Sequence, residues 1–253
     1  MLKHVVDARV NAQLYPRMSD MARDDDVTHS IAGVNCIVRS PTGTAPRRTA
    51  VYIHGNATTL RDLEYSPWLQ DMADKMQWQI YAPAYDTTAL DAPGAHQDTL
   101  QYECIRRVLQ SMSDTSIVLV GRSLGCALAL GAISPRVDLQ QRIDAVHLIS
   151  PFAKLDDIVP RWLATTRMHT TGRLDNVSNM DRLQASIPMH IYHGEYDEVV
   201  PIDNSIKLFS TRRCKALPAT CTTFDVIRDM QHDPSTEPVR SRILACMTQH
   251  THY

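Results

Sequence analysis

The chain has 253 residues and a formal net charge of −2, and 43% of its residues are hydrophobic and 21% charged. These values are typical of a globular protein with a full hydrophobic core. The balanced charge argues against nucleic acid as a partner.

Strand and helix patterns alternate along the chain from residue 27 onward. Residues 27–40 alternate loosely around Ala32-Gly33, which predicts a hairpin at a sheet edge. Buried strands are predicted at 49–53, 78–82, 117–120, 144–149, 188–192 and 222–227. Helices are predicted after the start signal Ser66-Pro67, at 100–112, 127–132 and 203–211, and from Pro238 onward. This order predicts one α/β domain over residues 1–253, with a doubly wound, mostly parallel sheet and helices on both faces.

Cysteine usage and hydropathy bear on the compartment. The six cysteines form no CxxC or Cys/His metal spacing, so we predict reduced thiols and no metal site, although Cys214 and Cys221 are close enough in sequence to pair. Residues 1–7 lack an apolar core of signal-peptide length, and no run approaches the length of a membrane-spanning helix. We expect a cytoplasmic, soluble protein. Peripheral membrane contact and the oligomeric state stay open.

The strand at 117–120 runs directly into Gly121-Arg122-Ser123-Leu124-Gly125 and then into a helix of small and aliphatic residues. A serine in this motif between a strand and a helix predicts a nucleophile elbow, a sharp turn that exposes the Ser123 hydroxyl. Gly121 and Gly125 leave room for the helix and strand backbones to approach each other. The alternative interpretation is a glycine-rich turn with an idle serine.

A serine hydroxyl needs a base to become a nucleophile, and that base is usually a histidine oriented by a carboxylate. His232 follows the last predicted strand in a short polar loop and is the predicted base. His147 and His190 lie inside strands, where we expect core packing. His54 and His193 each precede a glycine at a strand end, where we expect structural hydrogen bonds.

Asp197 is the predicted acid, because it lies just past a strand and upstream of His232. The chain order Ser123, Asp197, His232 is the order that α/β-hydrolases use. Other candidates for the acid stay open: Glu195, Glu198, Asp156 and Asp157.

Acyl transfer also needs two fixed donors for the oxyanion. The Leu124 N–H, directly after the nucleophile, is one candidate. The second is expected from the loop after His54-Gly55, as the N–H of Asn56 or, alternatively, of Ala57. All these motifs follow predicted strands, and the carboxyl ends of parallel strands meet at one edge of a sheet.

Residues 153–187 break the alternation and are predicted to form a short helical cap over Ser123. An apolar stripe at helical spacing runs through this segment and is interrupted by Pro160. Trp162 and Leu163, together with Phe152, are expected to line an acyl pocket. Alternatively, the stripe packs the cap onto the domain.

Several blocks of the chain together resemble the α/β-hydrolase superfamily, and within it the BEM46-like branch with its ABHD13- and ABHD17-like hydrolases. The blocks are His54-Gly55-Asn56-Ala57, Gly121-Arg122-Ser123-Leu124-Gly125, Ser150-Pro151-Phe152, residues 193–201 and Gln231-His232-Asp233. The chain departs from that branch at Ala82-Pro83-Ala84-Tyr85-Asp86 and at Gln231. The resemblance implies a Ser123/Asp197/His232 triad and esterase, thioesterase or lipase-like activity, without a cofactor.

Three functions follow as hypotheses. The first is a serine hydrolase that cleaves an ester or thioester of a small-molecule or lipid acyl substrate through an acyl-enzyme at Ser123. The second is a catalytically weak protein of the same fold with a ligand-binding or regulatory role, in which the pocket holds a ligand. The third is a peptidase of the same fold, since fold alone does not set function.

Overall fold

The structure is a computed structural model that describes residues 28–56, 58–85, 97–114, 116–158, 172–214 and 222–250. Strands in these residues form one sheet, in the order β1-β2-β4-β3-β5-β6-β7-β8. Their bounds are β1 (Thr28–Ile31), β2 (Val34–Arg39), β3 (Arg48–Ile53), β4 (Trp78–Pro83), β5 (Ile117–Arg122), β6 (Ile143–Ile149), β7 (Met189–Gly194) and β8 (Thr222–Ile227).

The sheet is mostly parallel, as predicted. Strands β1 and β2 form an antiparallel hairpin at one edge, and β2 is antiparallel to β4. All other neighbouring strands are parallel. The carboxyl ends of β3, β5, β6, β7 and β8 therefore lie along the same edge of the sheet.

Helices cover both faces, which confirms the doubly wound arrangement. Their bounds are α1 (Leu60–Tyr65), α2 (Pro67–Met76), α3 (Gln97–Ser111), α4 (Leu124–Ile133), α5 (Val137–Gln140), α6 (Leu155–Ile158), α7 (Asn176–Asp181), α8 (Asp203–Arg213) and α9 (Glu237–His250). Side chains of α3, α4, α7 and α8 join one buried apolar cluster, and those of α1, α2 and α9 join another. Strand β5 separates the two, because Ile117 and Leu119 point to the first cluster and Val118 and Val120 to the second.

Two helix starts show how local chemistry defines an element. Ser66 caps α2 by accepting the Trp68 N–H at 3.2 Å, with Pro67 at the first helical position, as predicted. Helix α1 was not predicted. It begins with a capping box, in which Thr59 and Asp62 each accept the other's N–H at 2.9 Å. The short helices α5 and α7 were not predicted either.

The segment predicted as a cap is described only at its two ends. Residues 159–171, including Pro160, Trp162 and Leu163, lie outside the described residues. Helix α7 lies at the C-terminal end of α4, where the Ser134 hydroxyl donates to Asn179 Oδ1 at 3.0 Å. At the start of α7, Asn176 donates from Nδ2 to the Phe152 carbonyl at 2.7 Å and from its backbone N–H to the Ala153 carbonyl at 3.0 Å. Helix α7 therefore contacts both the end of α4 and the loop after β6.

No helix in the described part of the chain is long and apolar enough to span a lipid bilayer. The described cysteines are free thiols, and Cys221 lies outside the described residues.

Buried histidines pack in the core, as predicted for His147 and His190. His147 Nδ1 lies 2.9 Å from the Tyr192 hydroxyl, and His190 Nδ1 lies 3.0 Å from Thr223 Oγ1. The ring of His250 at the end of α9 stacks on His190, with the ring centroids 4.9 Å apart. Burial lowers the pKa of His190 to about 4, with a smaller contribution from His250, and it lowers the pKa of His54 to about 4 as well.

These pKa values predict that acid destabilises the fold. Between pH 6.5 and 4 the unfolded chain binds protons that the folded chain excludes from His190 and His54, so the free energy of unfolding should fall as the pH is lowered. Each histidine should contribute about 1.4 kcal/mol per pH unit. Urea unfolding of His190→Gln across this range should show a slope smaller by that amount. His29→Gln, at an exposed position, is the control, and equal slopes for His190→Gln and wild type would contradict the prediction.

Candidate active site

Ser123 lies at the apex of the predicted strand–turn–helix. Strand β5 ends at Arg122, Ser123 has φ 51° and ψ −118°, and α4 begins at Leu124. A non-glycine residue in this region carries a strain of about 1–3 kcal/mol, which the surrounding structure must offset. The Ser123 N–H is anchored to the Ile149 carbonyl of β6 at 2.9 Å. The side chain of Ser123 is thereby held at the carboxyl edge of the sheet.

The turn requires glycine on both sides of Ser123. A Cβ atom at Gly125 would lie 2.0 Å from the Ile53 carbonyl oxygen and 2.5 Å from that of His54. A Cβ at Gly121 would lie 2.7 Å from Cys126 Cα. The first turn of α4 therefore lies directly against the end of β3, as the sequence predicted.

The structure brings Ser123, His232 and Asp197 into one hydrogen-bonded chain. His232 Nε2 lies 2.9 Å from Ser123 Oγ, and His232 Nδ1 lies 2.9 Å from Asp197 Oδ2. The Asp197 side chain has no exposed surface, and that of His232 is 17% exposed. With Nδ1 protonated toward Asp197, Nε2 is free to accept the Ser123 hydroxyl proton.

Asp197 is held as a buried carboxylate. Its Oδ1 accepts the N–H groups of Val199 at 3.0 Å and Val200 at 2.8 Å. Burial alone would raise the pKa of this carboxyl, but the hydrogen bonds from His232 and the Val200 N–H outweigh it, and the pKa is lowered. The other candidates for the acid lie elsewhere: Glu195 and Glu198 are exposed, and Asp157 pairs with Lys207 at 3.3 Å.

His193 supports the turn that carries Asp197. Its Nε2 lies 2.8 Å from the Val200 carbonyl and 3.4 Å from Asp197 Oδ2, and its Nδ1 lies 2.7 Å from Ser205 Oγ. Burial lowers the pKa of His193, which keeps the ring neutral. Nε2–H then donates to Val200 and Nδ1 accepts from Ser205. The expected structural hydrogen bonds of His193 are confirmed. The sequence pattern did not predict that His193 would lie beside Asp197.

His54 has a partner that sequence reasoning missed. The Tyr85 ring stacks on the His54 ring with centroids 3.8 Å apart, and the Tyr85 hydroxyl donates to the His54 carbonyl. His54 Nδ1 also lies 3.0 Å from the Gly55 carbonyl. Tyr85 belongs to the segment in which the chain departs from the BEM46-like pattern. It fixes the residue that opens the loop after β3.

The predicted oxyanion donors lie on neighbouring strand ends. Asn56 follows β3 and Leu124 follows β5, and these strands are paired through Ile53 and Gly121. As the first residue of α4, Leu124 has an N–H without a partner within the helix. Ala57, the alternative donor, lies outside the described residues.

The predicted acyl pocket is described only at Phe152. This side chain is 1% exposed and belongs to the buried cluster that also contains Leu124 and Leu155. The Phe152 ring thus lies in the core beside α4 and α6, and its expected part in an acyl pocket stays a prediction. Trp162 and Leu163 lie outside the described residues. Among the residues that the structure describes, no group of three or more His, Cys, Asp or Glu could hold a metal ion.

Solved structures of hydrolases share this fold. An esterase of the bacterial hormone-sensitive lipase family aligns with a TM-score of 0.68 at 15% identity, over 98% of this chain and 96% of that one. The butyrate-bound esterase Est2 of Thermogutta terrifontis aligns with a TM-score of 0.60 at 15% identity, over 87% and 90%. A predicted CIB-like hydrolase from Thermoplasma acidophilum aligns with a TM-score of 0.60 at 16% identity, over 89% and 96%. No protein-family model and no curated protein matches the chain. The chain has the α/β-hydrolase fold.

Gly125→Ala should destabilise the fold by about 3 kcal/mol, because its methyl group would overlap the Ile53 carbonyl and push α4 away from β3. Chemical unfolding monitored by circular dichroism measures this loss. Ala129→Gly, in the same helix, adds no atom and should cost only about 1 kcal/mol. A Gly125→Ala protein as stable as wild type would contradict the close approach.

Proposed function

We propose that this protein is a serine hydrolase of the α/β-hydrolase superfamily that cleaves an ester or thioester of a small-molecule or lipid acyl substrate. The main support for this proposal is the hydrogen-bonded chain from Ser123 Oγ through His232 to the buried Asp197. His232 Nε2 lies 2.9 Å from Ser123 Oγ, and His232 Nδ1 lies 2.9 Å from Asp197 Oδ2. A hydroxyl, an imidazole and a carboxylate in this order are the parts that acyl transfer to a serine requires. The hydrolase and esterase names of the structural neighbours support the same reaction class.

In this mechanism, His232 Nε2 takes the Ser123 hydroxyl proton while Oγ attacks the carbonyl carbon of the substrate. The resulting imidazolium is stabilised by the Asp197 carboxylate. The oxyanion accepts the N–H groups of Leu124 and Asn56, at the positive end of the α4 dipole. His232 then gives its proton to the leaving oxygen or sulfur, and an acyl-enzyme remains on Ser123.

Deacylation repeats these steps with water. His232 Nε2 removes a proton from a water molecule, the hydroxide attacks the acyl carbonyl, and the proton returns to Ser123 Oγ as the acid leaves. Cys126 takes no part, since burial raises the pKa of its thiol and keeps it protonated. Among branches of the superfamily, the blocks at residues 121–125, 150–152 and 193–201 favour the BEM46-like one.

A fluorophosphonate probe should label wild type and should fail to label Ser123→Ala, because phosphonylation needs an activated serine hydroxyl. Ser241→Ala, at an exposed serine of α9, is the matched control and should label like wild type. A series of p-nitrophenyl esters on the same samples then measures the preferred acyl length. A folded wild-type protein that resists labelling would contradict the hydrolase proposal and favour a ligand-binding role.

Asp197→Asn should lower kcat by about 10³–10⁴, because the amide holds His232 in the wrong tautomer and does not stabilise the imidazolium. Glu198→Gln, one residue away and exposed, should stay within about twofold of wild type, as surface substitutions usually do. Steady-state hydrolysis of the best p-nitrophenyl ester measures both. A larger loss in Glu198→Gln than in Asp197→Asn would show that the acid is assigned wrongly.

A further inference from the structure

A single guanidinium lies between the loops that carry the proposed site. Arg122, the residue before Ser123, donates from Nη2 to Thr58 Oγ1 at 2.7 Å. Its Nη1 forms an ion pair with Asp233, the residue after His232. The Arg122 side chain is 12% exposed and that of Asp233 is 55% exposed. One mostly buried side chain thus links the turn of Ser123 to both neighbouring loops.

Two further contacts confine this guanidinium. A Cβ atom at Gly55 would lie 2.8 Å from Arg122 Nη2 and 3.1 Å from Cζ, so the guanidinium occupies the space that a side chain at position 55 would need. The buried Tyr52 side chain is also close to Arg122, whose charge opposes the rise that burial causes in the pKa of the Tyr52 hydroxyl. Both residues belong to β3 or to the loop after it. Arg122 is therefore packed against the start of that loop and bonded to its far end at Thr58.

These contacts suit arginine and not lysine. The guanidinium presents five N–H donors in a rigid plane, so it can bond Thr58 and Asp233 in different directions at once. A lysine would keep the positive charge but has one nitrogen on a flexible chain. The ion pair with Asp233 offsets part of the desolvation of the buried guanidinium.

We propose that Arg122 is a positioning residue for the acyl transfer argued above. It holds the His232 loop (residues 228–236) and the β3–α1 loop (residues 54–59) at fixed distances from Ser123. This inference rests on the proposed function, because it concerns the same site. The imidazole must stay within hydrogen-bond distance of Ser123 Oγ, and the Asn56 N–H must stay where the oxyanion forms. A displacement of about 1 Å in such a site lowers the rate about 100-fold.

The direct test is Arg122→Gln, which keeps a polar side chain but removes the positive charge and the planar set of N–H donors. Its kcat for the best p-nitrophenyl ester should fall about 10- to 100-fold, while KM changes by less than about threefold, because Arg122 acts on geometry and not on substrate binding. Arg122→Lys should recover less than half of the lost activity. Full recovery by lysine would show that charge alone matters and would overturn the positioning role.

Two other variants change residues that contact the Arg122 guanidinium. Asp233→Asn should lower kcat in wild type but should have little further effect in Arg122→Gln, since its partner is already gone. Gly55→Ala should displace the guanidinium and also lower kcat, again with little further effect in Arg122→Gln. Additive losses in both double variants would overturn the proposal. If Arg122→Gln fails to fold, the single variants Asp233→Asn and Gly55→Ala carry the test, and a wild-type kcat in both would overturn the proposal.

Matched controls separate positioning from general loss of contacts. Arg142→Gln removes an arginine whose guanidinium donates to the carbonyls of Leu109, Met112 and Asp114 at the amino end of the sheet. Asp71→Asn removes the partner of Arg240 in an ion pair whose arginine side chain is also 12% exposed. Both should keep kcat within about twofold of wild type, whatever they do to the melting temperature. Equal kcat losses in controls and test variants would overturn the proposal.

A readout without turnover distinguishes this inference from the proposed function. The Nδ1 proton shared by His232 and Asp197 should give a low-field proton NMR signal in the resting protein. The signal should be lost or broadened in Arg122→Gln and kept in Arg142→Gln. An unchanged signal together with unchanged kcat in Arg122→Gln would overturn the positioning role. Absence of fluorophosphonate labelling in wild type would instead overturn the proposed hydrolase function.

Discussion

The contact on which the site depends is the one between the first turn of α4 and the end of β3. At Gly125 the helix backbone is so close to the Ile53 and His54 carbonyls that no side chain fits between them. This contact forces the chain into the strained turn at Ser123 and places the Leu124 N–H beside the loop that carries Asn56. Because β6, β7 and β8 continue the sheet in parallel, their ends bring Asp197 and His232 to the same edge.

The polar groups around Asp197 form a connected set of hydrogen bonds. Asp197 accepts from two backbone N–H groups and from His232, and His193 closes the same turn through the Val200 carbonyl. Together these hydrogen bonds hold the Asp197 carboxylate toward His232. A buried carboxylate without these donors would instead be protonated and could not orient the imidazole.

The predicted elements that the structure confirms are those with strong local signals. The start of α2 follows from Ser66 and Pro67, and the two-sided burial of β5 follows from its continuous apolar run. Helix α1 was missed although Thr59 and Asp62 form a capping box, because six residues are too few to show an apolar period. The burial of Phe152 was not evident from sequence, because an apolar residue after a strand end can face either a cavity or the core.

The sequence by itself determined the alternation of strands and helices, the strand–turn–helix around Ser123 and the chain order of Ser123, Asp197 and His232, since all of these depend on residue type and local spacing. Only the tertiary structure decided which carboxylate contacts His232. Asp197 and Glu198 are adjacent in sequence, but the Asp197 side chain bonds His232 and Glu198 is exposed to solvent. The tertiary structure also decided that Tyr85 covers His54 and that Arg122 reaches Thr58, contacts that span 31 and 64 residues. Such contacts depend on strand register and side-chain direction, which no local pattern encodes.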